Sequence, residues 1–105
     1  MTSGPWTVFF TATAEDQARQ VAERGAAERS AAPTLFLDEL EHAIDRLSTM
    51  PGSGAPFRSQ SVPGVRRVLL PGSRYHVYYS IDEGAHEVLV RAIWHGARGH
   101  GPSLG

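Results

Sequence analysis

The residue pattern predicts an α+β fold: an N-terminal strand, a helical hairpin and a three-stranded antiparallel meander. Three observations carry that expectation. Phe36, Leu40, Ile44 and Leu47 recur at helical spacing. Three segments of alternating, β-branched and aromatic residues follow in the C-terminal half, separated by short turn-forming groups. A chain of 105 residues with 41% apolar content has room for one core and no second domain. Residues 1–105 are therefore expected as a single domain, with loose ends at residues 1–5 and 99–105.

Residues 6–11 alternate Trp6, Val8 and Phe10 against Thr7, Phe9 and Thr11, which is strand chemistry. From residue 14 to about residue 29 good helix formers take over, with Ala14, Ala18, Val21 and Ala22 on one thin stripe and Thr13 as the N-cap signal. The second helix is stronger. Leu37 and Ala43 widen its apolar face, Pro33 suits its first turn, Asp38, Glu39 and Glu41 precede Arg46, and Pro51-Gly52 stops it. Neither helix can bury its stripe alone, so both must pack on something else. Residues 51–63 are rich in Gly, Pro and Ser and read as a loop. The three strands then fall at residues 65–70, 75–82 and 87–95, joined by Pro71-Gly72-Ser73 and Glu83-Gly84-Ala85.

Composition narrows the chemistry. With no cysteine, thiolate catalysis, thiolate metal sites and disulfides are excluded. His76, His86, His95 and His100 lack the helical i, i+4 spacing of common zinc sites, so no metal is expected. The glycine-rich stretch 96–101 opens no helix, which argues against a phosphate cradle and a dinucleotide cofactor. No apolar run approaches the length of a membrane span and no export leader is visible, so a cytoplasmic location is the expectation. All ten basic residues are arginine. Residues 1–55 carry four of them against eight acids, and residues 56–105 carry six against three. The C-terminal half is thus the side that would meet an anionic partner.

Alternation divides the meander into two faces. Val77, Tyr79 and Ile81, with Val88, Val90, Ala92 and Trp94, form the more apolar set, expected to turn toward the helices. On that pattern His76, Tyr78, Arg91 and His95 share an open face, while Arg66 and Arg67 point to opposite faces. Tyr75, Tyr79 and Trp94 read as packing residues.

Four segments in this order resemble the RelE/ParE superfamily of toxins across residues 6–98: Phe36-Leu-Asp-Glu-Leu-Glu-His-Ala-Ile-Asp-Arg-Leu47 followed by Pro51, Arg66-Arg-Val-Leu-Leu-Pro71, Tyr75-His-Val-Tyr-Tyr-Ser-Ile-Asp82 and Val90-Arg-Ala-Ile-Trp-His-Gly-Ala-Arg98. The resemblance implies a small toxin held inactive in a hetero-oligomer with a cognate antitoxin. It leaves two activities open within one fold: ribosome-dependent mRNA cleavage, and poisoning of DNA gyrase, which needs no catalytic residue on the toxin.

Against the nuclease pattern, Arg67 and Arg98 stand where basic functional residues are expected. Leu69 replaces a lysine, His76 replaces a strand arginine, and Leu104 lies about where a catalytic tyrosine would sit. A nuclease would have to use Arg67, His76, His95 and Arg98, with the histidines exchanging protons and the arginines holding phosphate. The ending Ile93-Trp-His-Gly-Ala-Arg98 is closer to the ParE branch, which favours the gyrase activity. Residues expected to contact target or antitoxin are Arg66, Arg67, Tyr78, Arg91, His95 and Arg98. A protein-interaction module that keeps the fold without toxicity is the remaining alternative.

Overall fold

The computed structural model describes residues 5–28 and 31–104. Its elements are β1 (Thr7–Phe10), α1 (Ala12–Glu28), α2 (Leu35–Thr49), β2 (Ala55–Pro56), β3 (Arg66–Leu69), β4 (Tyr75–Asp82) and β5 (Glu87–His95), with one turn of 3-10 helix at Pro51–Ser53. The expected α+β order of strand, two helices and meander is what the chain adopts. The meander is the centre of a five-stranded sheet in the order β1-β5-β4-β3-β2, in which β1 lies parallel to β5 and the other pairs are antiparallel. Among the described residues no helix is long and apolar enough to cross a membrane. The expected lead-in at residues 1–4 and the end of the first helix at Arg29 fall outside the described residues.

Both helices pack on one face of the sheet. Ala14 and Val21 from α1 and Phe36, Leu40 and Leu47 from α2 meet Val77, Tyr79, Val88, Val90 and Ile93 in the main core. The small stripe of α1 is sufficient because alanine lets the helix backbone lie close to β5, its main strand neighbour. The N-terminus of α1 is capped by Thr11, whose hydroxyl accepts the Ala14 amide at 3.1 Å, and not by Thr13. Pro33 precedes α2, which starts two residues later.

Two local devices lock loops to this core. The Glu39 carboxylate on α2 accepts the amides of Gly72 (2.6 Å) and Ser73 (2.9 Å), holding the β3–β4 turn against the helix. The buried Tyr79 hydroxyl donates to the Pro51 carbonyl (2.6 Å) and accepts the Gly54 amide (2.9 Å). A side chain at residue 54 would sit 2.5 Å from that hydroxyl, which is why glycine stands there. The segment expected as plain loop therefore contains a short edge strand, β2, that pairs with Arg66 and Arg67.

Beyond Phe10, β5 has no strand on its outer side, and α1 together with its capping residue supplies the missing partners. The Gln17 side-chain oxygen accepts the Ile93 amide at 2.9 Å, and the Thr11 hydroxyl donates to the Arg91 carbonyl at 3.4 Å.

Candidate functional site

The face away from the helices is organised by a β-bulge. Tyr78 pairs with Ala92 but Tyr79 pairs with Val90, so Arg91 is an extra residue on β5. Past it, inside and outside exchange. Ala92 and Trp94, expected beneath the helices, lie on the opposite face with Tyr78, and Ile93 joins the helix-side core instead. His95 moves with Ile93. Its ring meets Tyr75 edge-on at 4.9 Å, and Tyr75 in turn meets Phe36 of α2 at 5.5 Å. The expected open-face set of His76, Tyr78, Arg91 and His95 is thus corrected: the first three share that face, and His95 turns toward Tyr75 while still bordering a hollow with His76.

That face is covered in part. Val65, Tyr78, Ala92 and Leu104 form a second buried cluster, with Phe57, Val62 and Trp94 packed against it. Leu104, at the position that would correspond to a catalytic tyrosine, is a core residue here. The tail, as far as residue 104, folds back over this cluster. The Trp94 indole donates to the His100 carbonyl (2.7 Å), Arg91 Nη1 reaches the Leu104 carbonyl (3.5 Å), and Leu104 is 8% exposed.

Between cluster and tail lies a hollow of about 250 Å³ whose functional groups come from three strands. Arg67 of β3 stands opposite Tyr78, donates to its hydroxyl (3.2 Å), and lies over the Phe57 and Tyr78 rings at 5.2 and 5.9 Å. Arg98 lies over the Trp94 ring at 4.2 Å. His76, paired with Trp94, completes the wall beside Gly96, where an added Cβ would come within 3.3 Å of its ring. Partial burial, then the nearby Arg67, Arg74 and His95, lower the His76 pKa from its ordinary 6.5, so its ring is neutral at pH 7. The His95 Nδ1 accepts the Ala97 amide at 3.0 Å, which puts the proton of the neutral ring on Nε2.

The remaining expected residues are engaged within the chain. Arg66 donates to the carbonyls of Gly54 (2.7 Å) and Gly52 (3.4 Å) on the other side of β3, as the alternation required. Arg91 Nε donates to the Ser80 hydroxyl at 2.8 Å. Two contributors were missed by sequence reasoning. Phe57 stood alone in a Gly/Pro/Ser-rich loop, and Trp94 was assigned to the core because a bulge leaves no mark in a pattern of alternation. Among the described residues no group of His, Asp and Glu could hold a metal ion.

The protein-family comparison matches a ParE toxin model, described as the toxin of the type II toxin-antitoxin system parDE, over residues 8–99. Solved structures share the fold: the toxin-antitoxin complex RelBE2 from Mycobacterium tuberculosis (24% identity, 92% of this chain and 98% of that one, TM-score 0.64) and the chromosomal ParDE system from P. aeruginosa (18%, 89% and 98%, TM-score 0.65). A mutant of the E. coli toxin RelE in the free state also aligns (15%, 89% and 85%, TM-score 0.58). No curated protein sequence gives a significant match. The family match spans both helices, the meander and the Arg67–Arg98 hollow, and the chain belongs to the ParE toxin family of type II toxin-antitoxin systems.

Proposed function

We propose that this toxin inhibits DNA gyrase by binding it, without cleaving RNA, and that an acidic, extended antitoxin segment neutralises it. The observation that carries the reading is that Leu104, which is buried, and Leu69 stand where the nuclease pattern has its tyrosine and its lysine. RNA cleavage through the 2′-hydroxyl needs a base and an acid on one side of the scissile phosphate. The neutral His76 could accept a proton, and His95, packed edge-on against Tyr75, borders the same hollow. Leu104 is buried, Leu69 is apolar, and the Tyr78 hydroxyl is bonded to Arg67. His95 and His100 border the hollow with His76, so what the nuclease arrangement lacks here is its tyrosine and its lysine.

What remains there suits recognition. Arg67 and Arg98, each spread on an aromatic ring, present preorganised cations to carboxylates. Similar folds occur in toxin-antitoxin complexes, which supports a protein partner of that kind. On this reading Tyr78, Arg66 and Arg91 brace the surface from within, and His95 lies at its margin.

Purified toxin should block supercoiling by gyrase, leave message intact in a ribosome-dependent cleavage assay, and lose its effect on addition of the antitoxin. Message cleavage with normal supercoiling would overturn the reading in favour of a ribonuclease. Absence of growth arrest on expression would leave only an interaction module.

A further inference from the structure

The open face is not uniformly basic. Arg67, Arg98 and His76 crowd the end where β5 closes, but the other end, on the far side of the bulge, has the opposite character. There Phe9 and Leu89 are neighbours in the β1–β5 register, and Phe9 is 46% exposed. Val62 and the acids Asp82, Glu83 and Glu87 border the same shallow hollow of about 830 Å³. Among the described residues none of these acids is in an ion pair, although Asp82 also accepts the Ala85 amide. Arg91 reaches this rim with its guanidinium committed to Ser80 and the Leu104 carbonyl.

An exposed phenyl ring ringed by unpaired carboxylates complements a segment of the reverse design, an apolar side chain flanked by lysine or arginine. Enzymes that hold DNA present such residues to its phosphates. Resting on the function proposed above, we infer that the hollow formed by Phe9, Leu89 and the Asp82–Glu83–Glu87 rim docks a basic, apolar-anchored segment of gyrase's DNA-contacting surface. The arginine end of the same face is thereby left to the acidic antitoxin, so the two partners read opposite ends of one sheet face.

The test compares wild-type toxin, Glu83→Lys/Glu87→Lys and Phe9→Ser for binding to purified gyrase and to the antitoxin, with thermal unfolding as the folding control. The charge reversal is expected to weaken gyrase binding about tenfold or more, and Phe9→Ser several-fold, with antitoxin affinity unchanged within about twofold. With wild-type toxin alone, excess duplex DNA should displace gyrase, a measurement that needs no variant. Gyrase binding that survives both substitutions and excess DNA overturns the inference while the proposed function stands. Loss of antitoxin binding instead would assign the hollow to the antitoxin and also overturn it. Failure of wild-type toxin to bind or inhibit gyrase removes both.

Discussion

On the helix side of the sheet, Leu47, Val77, Val88 and Val90 are shut off from water by two helices, whereas on the other side Tyr78, Ala92 and Leu104 are closed over by a loop and a tail. The first closure joins regular elements whose backbone polar groups are already paired. The second depends on one leucine near the chain end and a few hydrogen bonds from irregular backbone. The difference teaches that one face of this sheet supplies stability and the other is stable only to the extent that its cover stays down.

Truncating each face should expose that inequality. Leu47→Ala, which empties a fully buried position between α2 and the sheet, is expected to cost about 3 kcal/mol or more in urea unfolding, with loss of the whole cooperative transition. Tyr79→Phe removes two hydrogen bonds and leaves the buried Gly54 amide unpaired, for about 1–3 kcal/mol by the same measurement. Burial raises the Tyr79 pKa above its ordinary 10.0, so the unfolded chain ionises there first. Stability should therefore fall as pH climbs past 10, and that portion of the loss is absent from the phenylalanine variant.

Leu104→Ala acts on the second cover and should cost about 1–2 kcal/mol. Its distinguishing mark is local: hydrogen exchange should accelerate in the tail while the amides of β4 near Val77 keep their protection. Equal acceleration on both faces would show that the two covers form one cooperative unit. His76 gives the smallest effect. Its pKa is depressed in the folded state, so its contribution is present above 6.5 and is lost as pH falls through the folded value. Replacing it in His76→Gln should flatten the decline of stability between pH 7 and pH 5.

Most of the fold was legible in the sequence because the strong signals are local. The apolar spacing from Phe36 to Leu47 locates α2, and the bounds of β4 and β5 follow from alternation between turn residues. The face of β5 was legible only as far as Val90. A bulge arises from how two strands pair, and Arg91 looks like any outward residue until its partner strand is known. That single residue moved Trp94 into the candidate site and turned His95 toward Tyr75 at its margin. The role of Leu104 was not legible for a related reason: it depends on a greasy patch that only the folded sheet creates.

The amide oxygen of Gln17, set against the Ile93 amide where β1 runs out, has a consequence for life in a crowded cell. An uncapped ribbon at that position would offer foreign chains a ready template for growing further ribbon, the first step toward fibrous deposits. A single glutamine reaching over from the helix denies them that foothold.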